Sequence, residues 1–327
     1  MKAVVLVGGV GTRLRPLTLT TPKQMLPVGG RPMIERVLGH LAGFGIGEAV
    51  LSLGYRPDAF VRAYPAQRCA GVALRYAVEP EPLDTAGAIA FAAGAAGLDE
   101  TFVVVNGDIL TDLDVEALIG LHRERGAEAT IALTPVEDPS AYGVVPTDTS
   151  GRVLAFIEKP PAGQAPTTMI NAGTYILEPT VLERIPPGVR VSIERRTFPE
   201  MVAGGRLYAM GSDAAWIDAG TPGTYLAANL RHAGPPGRAT TVAGDATVEG
   251  SVVGAGARIG PGARVARSVL LDGVTVCAGA AVLSSLVGRG ARIGAGAVVG
   301  GLSVVGDGFV VPAGAELCGE RVPAGVG

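Results

Sequence analysis

Leu6-Val7-Gly8-Gly9-Val10-Gly11-Thr12-Arg13-Leu14-Arg15-Pro16-Leu17-Thr18, continued by Thr21-Pro22-Lys23-Gln24-Met25-Leu26-Pro27-Val28, closes a short apolar run, Lys2–Leu6, that reads as a first buried β-strand. A glycine-rich turn at the end of such a strand lets backbone N–H groups approach a phosphate, because Gly8, Gly9 and Gly11 carry no Cβ. Arg13 and Lys23 add positive charge; arginine forks onto two oxygens, and lysine acts as a movable point charge. Neither of the commoner phosphate loops is present. Gly-x-x-x-x-Gly-Lys-Ser/Thr is missing, and Gly9-x-Gly11 is followed by Leu14 where a third glycine would complete a dinucleotide fingerprint.

Outward from this loop, apolar strand-like runs alternate with helical stretches up to about residue 232. Strands are expected at 2–7, 48–53, 73–78, 102–106, 129–136, 143–147, 153–158, 171–177 and 207–210. Helices are expected at 32–44, 57–64, 86–97, 115–125, 192–203 and 221–232. This is βαβ grammar, so the expectation is a Rossmann-like α/β domain with a mixed, mainly parallel sheet. Ligands bind such sheets at the carboxyl ends of the strands, where the first loop and Asn106-Gly107-Asp108 both fall.

Residues 233–239, Ala-Gly-Pro-Pro-Gly-Arg-Ala, read as a linker. Beyond them the pattern changes. Val242, Ile259, Val276, Ile293 and Val310 form one apolar series at an interval of 17; Val248, Val265, Val282 and Val299 form a second; Val253, Leu270, Val287 and Val304 form a third. Three inward columns with turns between them describe a triangular solenoid, similar to a left-handed parallel β-helix of hexapeptide repeats with one residue dropped per coil. The domains expected are thus 1–232, α/β, and 240–327, β-helix.

Composition narrows the function. With 27 Lys and Arg against 30 Asp and Glu, the net charge is −3, and no basic cluster points to nucleic acid. No apolar run is long enough for a bilayer, and the N-terminus enters the first strand without a signal peptide. Cys69, Cys277 and Cys318 are widely spaced and read as free thiols in a reducing cytoplasm. His40, His122 and His232 are scattered over expected helices and read as partly exposed structural residues. Among 27 basic residues only Lys2, Lys23 and Lys159 are lysine. Two of these three fall inside motifs.

Those motifs come in a fixed order: the first loop, Glu79-Pro-Glu-Pro-Leu-Asp-Thr-Ala-Gly87, Val105-Asn-Gly-Asp108, Tyr142-Gly-Val-Val145, Phe156-Ile-Glu-Lys-Pro160, Asn171-Ala-Gly173 and Trp216-Ile-Asp-Ala-Gly-Thr-Pro222. The set resembles the sugar-1-phosphate nucleotidylyltransferases, and within them the mannose-1-phosphate guanylyltransferases, over essentially the whole chain. Leu6-Val-Gly-Gly9, Pro139–Val145 and Ser192-Ile-Glu-Arg195 before Phe198-Pro-Glu200 carry the closer likeness. Asp84 stands where those enzymes commonly have glycine, so the resemblance leaves the base open.

The resemblance implies a reaction in which a sugar-1-phosphate oxygen attacks the α-phosphorus of a nucleoside triphosphate and pyrophosphate leaves. The nucleophile is already an anion, so positioning and cation clamping supply the rate. It implies Mg²⁺ on Asp108 and Asp218, a hard cation on carboxylate oxygen. It places Arg13 on the β- and γ-phosphates, Lys23 at the breaking bond and Lys159 on the sugar phosphate. Leu6, Gly8, Gly9, Gly11, Thr12, Glu79, Pro82, Leu83, Thr85, Ala86 and Gly87 are placed around the nucleotide. Asn106, Gly143, Glu158, Asn171, Gly173 and Trp216 are placed around the sugar. Because neighbours on a strand point to opposite faces, Glu158 and Lys159 are expected on opposite sides of one.

The pair GTP and mannose-1-phosphate, giving GDP-mannose, follows from the closer likeness. Glucose-1-phosphate or another sugar-like phosphate with dTTP, UTP, ATP or CTP remains open. A hexapeptide acyltransferase would use a solenoid histidine as base, and no histidine follows His232. A non-catalytic regulatory subunit would have no reason to keep Arg13, Lys23, Asp108, Lys159 and Asp218 together. The glycine-rich solenoid surface is expected to join copies into a homo-oligomer.

Overall fold

The structure is a computed structural model that describes residues 1–323. It forms two compact units, one of Met1–Gly9 with Ile34–Trp216 and one of Val10–Met33 with Ile217–Gly327. The last four positions of the expected β-helix domain, 324–327, lie outside the described residues.

The first unit is built on a ten-stranded sheet. Its strands are β1 (Lys2–Leu6), β2 (Glu48–Leu53), β3 (Arg68–Cys69), β4 (Val72–Val78), β5 (Phe102–Asn106), β6 (Ala129–Pro135), β7 (Gly143–Val144), β8 (Ile157–Glu158), β9 (Met169–Leu177) and β10 (Leu207–Gly211). The order is β8-β7-β9-β5-β1-β2-β4-β3, with β6 beside β9 and β10 beside β6. The centre, β5-β1-β2-β4, is parallel, and β9 runs antiparallel to β5 and β6. Central strands with apolar residues on both faces need cover on both. The unit's helices are α1 (Met33–Gly43), α2 (Pro57–Ala63), α3 (Asp84–Ala96), α4 (Val115–Arg125) and α5 (Phe198–Gly204). Helix α3 packs on β1, β2 and β4, and α4 on β6, β9 and β10. Asp114 caps α4 by accepting the Ala117 N–H. Val4, Val50, Val104, Ile131, Tyr175 and Phe198 lie in the core of this unit.

Several expected elements change on folding. The strands expected at 143–147 and 153–158 shrink to β7 and β8, with a single bridge between Thr147 and Val153. The helix expected at 192–203 divides into a π-helical turn, Ile193–Thr197, and α5. Pro199 sits in the first turn of α5, where its missing N–H costs no bond. His122 is not partly exposed: it is 2% exposed and bonded to Thr130 and Glu178. His232 caps the helix that ends at Arg231 rather than lying in it. The three cysteines are free thiols. No helix among the described residues is long and apolar enough to cross a membrane.

The second unit contains the loop Val10–Met33, helix α6 (Pro222–Arg231) and a parallel β-solenoid. Three five-stranded parallel sheets form its faces, the arrangement of a three-sided β-helix. Val265, Val282, Val299, Ile259, Val276 and Ile293 fill its interior. Seventeen-residue spacing holds through Val253↔Leu270↔Val287 and fails once. Val287 pairs with Val305, not with the expected Val304, and Ile293 pairs with Val311, not with the expected Val310. Val310 instead points outward, 58% exposed. The cause is one extra residue at a corner. Arg267 and Ser284 turn two successive corners alone in left-handed conformation, whereas Gly301 and Leu302 both take it at the third.

Candidate active site

In the first unit the carboxyl ends of β1 and β5 lie side by side. Leu6 pairs with Asn106, and the Gly107 N–H donates to the Leu6 carbonyl. Gly8 and Gly9 therefore begin their turn next to Asn106-Gly107-Asp108. Gly9 is exposed with nothing within 4 Å of where a Cβ would stand, while a Cβ on Gly8 would lie 3.4 Å from a Glu79 carboxylate oxygen. Asp108 is half-buried just past the end of β5.

The Glu79–Gly87 segment is tied down around the same strand ends. Glu79 accepts the Ser52 hydroxyl at 2.9 Å and the Leu83 N–H at 3.1 Å, which fixes the turn through Pro82. Ala86 and Gly87 both donate to the Val191 carbonyl, and a Cβ on Gly87 would lie 2.7 Å from the Val189 carbonyl oxygen. Thr85 donates to Glu194 at 2.6 Å and accepts the Ile193 N–H at 2.9 Å. Asp84 has φ +60°, a conformation that glycine adopts freely and Asp tolerates better than most residues. The glycine common at this position in the resembling enzymes is thus matched by a backbone demand.

The residues placed around the sugar form a second connected group in this unit. Gly143 pairs with Glu158, and a Cβ there would lie 2.7 Å from the Phe156 ring and 3.0 Å from a Glu158 oxygen. Asn171, Ala172 and Gly173 lie in a register break of β9. Such bulges re-aim side chains. Gly173 has φ +71°, with the Asn106 amide nitrogen 2.6 Å from its would-be Cβ. The Asn171 side chain shapes this bulge, donating to the Tyr175 hydroxyl and accepting the Gly173 N–H. Trp216 donates to the Ala172 carbonyl at 3.0 Å and meets the Tyr142 ring edge-on at 5.8 Å.

Glu158 and Lys159 do not sit on opposite sides of a strand. Lys159 lies just past β8 with φ +51°, and its ammonium comes 3.7 Å from the Glu158 carboxylate. The alternation rule applies only within extended backbone, and the chain leaves it at Lys159. The Lys159 side chain stays 59% exposed. Burial, reinforced by the nearby Glu194 carboxylate, raises the Glu158 pKa against the opposing charges of Lys159 and Arg195.

The remaining expected residues belong to the second unit. Gly11 has φ +69° and is held by the Thr18 hydroxyl donating to its carbonyl at 2.8 Å. Thr12 and Arg13 form one short 3-10 turn and Lys23 another. Lys23 is only 7% exposed, unusual for a lysine and a mark of a specific environment. Arg13, 60% exposed, places Nη2 3.8 Å from Oδ2 of Asp218. Gly220 packs on that pair: its would-be Cβ lies 2.6 Å from Arg13 Nη2 and 2.7 Å from Asp218 Oδ1.

The described residues hold no group of three or more His, Cys, Asp or Glu that could cage a metal. Carboxylates such as Asp108 and Asp218 offer the hard oxygen donors that suit Mg²⁺, which is commonly held by one or two carboxylates together with substrate phosphates. Sequence reasoning did not place Tyr142 or Glu194 at the site. Both lay in quoted motifs, and the signal available for Glu194 was Ser192, whose hydroxyl caps the π-helical turn and donates to Glu194. π-Helical turns often occur at functional sites.

The Nucleotidyl transferase family model matches residues 2–233, and the GMPPB C-terminal domain model matches 237–322. A mannose-1-phosphate guanylyltransferase of Mycobacterium tuberculosis is 43% identical over 226 residues, covering 68% of this chain and 62% of that protein. A mannose-1-phosphate guanylyltransferase catalytic subunit beta of Dictyostelium discoideum is 41% identical over 228 residues, covering 69% and 63%. Each alignment thus spans less than two thirds of the relative's length. Among solved structures, HddC from Yersinia pseudotuberculosis matches with a TM-score of 0.61 at 30% identity, over 70% of this chain and 98% of that one. Taken with the strand-end loop and the ordered motifs, the match over residues 2–233 establishes that the chain belongs to the nucleotidyl transferase family.

Proposed function

We propose that this protein transfers GMP from GTP to mannose-1-phosphate, releasing pyrophosphate and forming GDP-mannose. The observation that carries this reading is the arginine–carboxylate pair Arg13–Asp218 beside Gly220, in the same unit as the buried Lys23. The relatives named as mannose-1-phosphate guanylyltransferases support the choice of substrates.

In this reading Gly8, Gly9, Gly11 and Thr12 supply backbone donors to the triphosphate, and Arg13 neutralises its β- and γ-oxygens. Lys23 sits at the bond that breaks, where a lysine can follow charge onto the leaving pyrophosphate. Leu6, Glu79, Pro82, Leu83, Thr85, Ala86 and Gly87 form the base and ribose side. Lys159 holds the sugar phosphate, and Glu158 accepts sugar hydroxyls. Asn106, Gly143, Asn171, Gly173 and Trp216 shape the wall on which the sugar rests. Asp108 and Asp218 are the carboxylates that would hold Mg²⁺, which when bound would supply charge neutralisation on the phosphates. No covalent intermediate is required, because the attacking phosphate oxygen is already an anion.

Functionally, residues 1–232 are the catalytic domain, 233–239 a linker and 240–327 an assembly domain that joins copies into a homo-oligomer. The free thiols fit a reducing cytoplasm. Pyrophosphate release with Mg²⁺, measured across five nucleoside triphosphates and a panel of sugar-1-phosphates, tests the reading. A clear preference for GTP with mannose-1-phosphate supports it; turnover with a different pair overturns the substrate assignment. Sedimentation of the full chain tests assembly, and a monomer at working concentration overturns that part.

A further inference from the structure

Within the second unit, the nucleotide loop and the irregular coil of the β-helix are in contact. Asp307 stands at a corner of the solenoid, in the column Ala255, Asp272, Arg289, Asp307. Two carboxylates of this column do the same stapling: Asp272 Oδ1 accepts the Ala255 N–H at 2.9 Å, and Asp307 Oδ1 accepts the Arg289 N–H at 2.8 Å. Asp307 does one thing more. Its second oxygen accepts the hydroxyl of Thr20 at 2.6 Å, in the loop that carries Arg13 and Lys23.

A second observation is steric. A Cβ on Gly306 would lie 3.2 Å from Cβ and Cγ of Pro16 in the same loop and 3.2 Å from Cδ of Pro323, all tighter than an ordinary contact, so the loop packs against the coil with no room for a side chain between them. The extra residue of the solenoid lies just upstream. At that corner Leu302, left-handed at φ +65°, brings its Cδ2 to 3.7 Å from the would-be Cβ of Gly223 in α6, the helix after Asp218. The one coil that breaks the 17-residue rule therefore faces both Thr20 and the first turn of α6. Departures from a local rule are expected at functional sites.

We propose that Asp307 is a positioning residue for the nucleotide: the β-helix braces the Val10–Met33 loop through Asp307 and Gly306, and so helps set the affinity for the triphosphate. This rests on the assignment of that loop to the nucleotide. It gives the solenoid a role in the reaction besides assembly.

The test compares Asp307→Ala, Thr20→Val, their double variant and Asp272→Ala in the full chain. Two readouts are taken: hydrogen exchange of the amides in residues 11–25, and KM for the triphosphate separately from kcat. Asp307→Ala and Thr20→Val should each speed exchange severalfold and raise KM by about three- to tenfold, the scale of one ordinary solvent-exposed hydrogen bond. The double variant should be no worse than either, because both remove the same contact. Asp307→Asn, which keeps an acceptor oxygen, should recover most of the loss. Asp272→Ala loses the matching staple to Ala255 and an exposed ion pair with Arg289, neither of which involves residues 11–25, and should leave both readouts unchanged. If Asp272→Ala and Asp307→Ala behave alike, or if the Thr20 and Asp307 effects simply add, the brace is wrong. Absence of turnover in the unaltered chain with every triphosphate would refute the transferase reading, while the exchange measurement would still decide the brace.

Discussion

The Arg13 guanidinium lies 3.8 Å from the Asp218 carboxylate, with Gly220 filling the space beside both. Before any phosphate arrives, the pair holds its charges together, so less side-chain ordering is left for the moment of binding. Gly220→Ala should break this arrangement. The arginine tip can swing away, but Asp218 is only two residues from the new methyl group and has less freedom. Activity should fall by roughly ten- to a hundredfold, as for small misplacements of reacting groups. Steady-state pyrophosphate release, with thermal unfolding run in parallel, checks this; unchanged turnover would mean that the Arg13–Asp218 spacing is not used.

Asp108→Asn keeps shape and removes charge. With the fold retained by circular dichroism, nucleotide-sugar formation should drop by at least about a hundredfold, and raised Mg²⁺ should recover little of it. Near-normal turnover would sink the metal assignment at Asp108.

Glu158 gives a pH dependence with a definite sign. Burial first, and Glu194 second, raise its pKa above the usual carboxylate value, so it protonates earlier on acidification. The kcat/KM for the sugar phosphate should therefore fall on the acid side at a higher pH than an exposed carboxylate would give, and Glu158→Gln should remove that limb. Stability runs the other way. A raised folded-state pKa stabilises the protein at low pH, and that contribution is lost as pH rises through it. Glu158→Gln should thus be neutral or stabilising near pH 7 and lose that advantage on acidification below the ordinary carboxylate range, as followed by urea unfolding at both ends.

Asp84→Gly separates backbone from base recognition. Relief of the left-handed strain at φ +60° is worth about 1 kcal/mol. The flexibility of glycine in the unfolded chain and loss of the ion pair with Arg190 at 3.9 Å work against that gain. Stability should change by less than about 1 kcal/mol in urea unfolding. The order of preference among nucleoside triphosphates should stay the same, and a switch in base would show that the Asp84 carboxylate reads it.

Much of this molecule is legible in its sequence because the information is local or periodic. The Gly8–Gly11 turn, the strand before Asp108 and the apolar columns through Val265 and Val276 all announce themselves by spacing. The phase slip at the end of the solenoid does not. Val304-Val305 and Val310-Val311 are both doublets, so either member satisfies a periodic count; only the Gly300-Gly301 pair hinted at a wider corner. The contacts of Thr85 with Glu194 and of Asn171 with Tyr175 were equally hidden, since side-chain bonding has no periodic signature. Lys159 misled for a related reason. Its left-handed backbone comes from the way β8 ends, which residue alternation cannot register.

The corner carboxylate at Asp307 also makes the solenoid a ruler. Neighbouring strands in a sheet stand about 4.8 Å apart, so every coil between the linker and Asp307 advances that carboxylate by one fixed step. Excising one regular coil of 17 residues would leave every inward valine in phase and the interior well filled. It would also carry the corner a full step away from Thr20, far beyond hydrogen-bond reach. Coils on the linker side of Asp307 are consequently fixed in number, a constraint that folding alone would never impose.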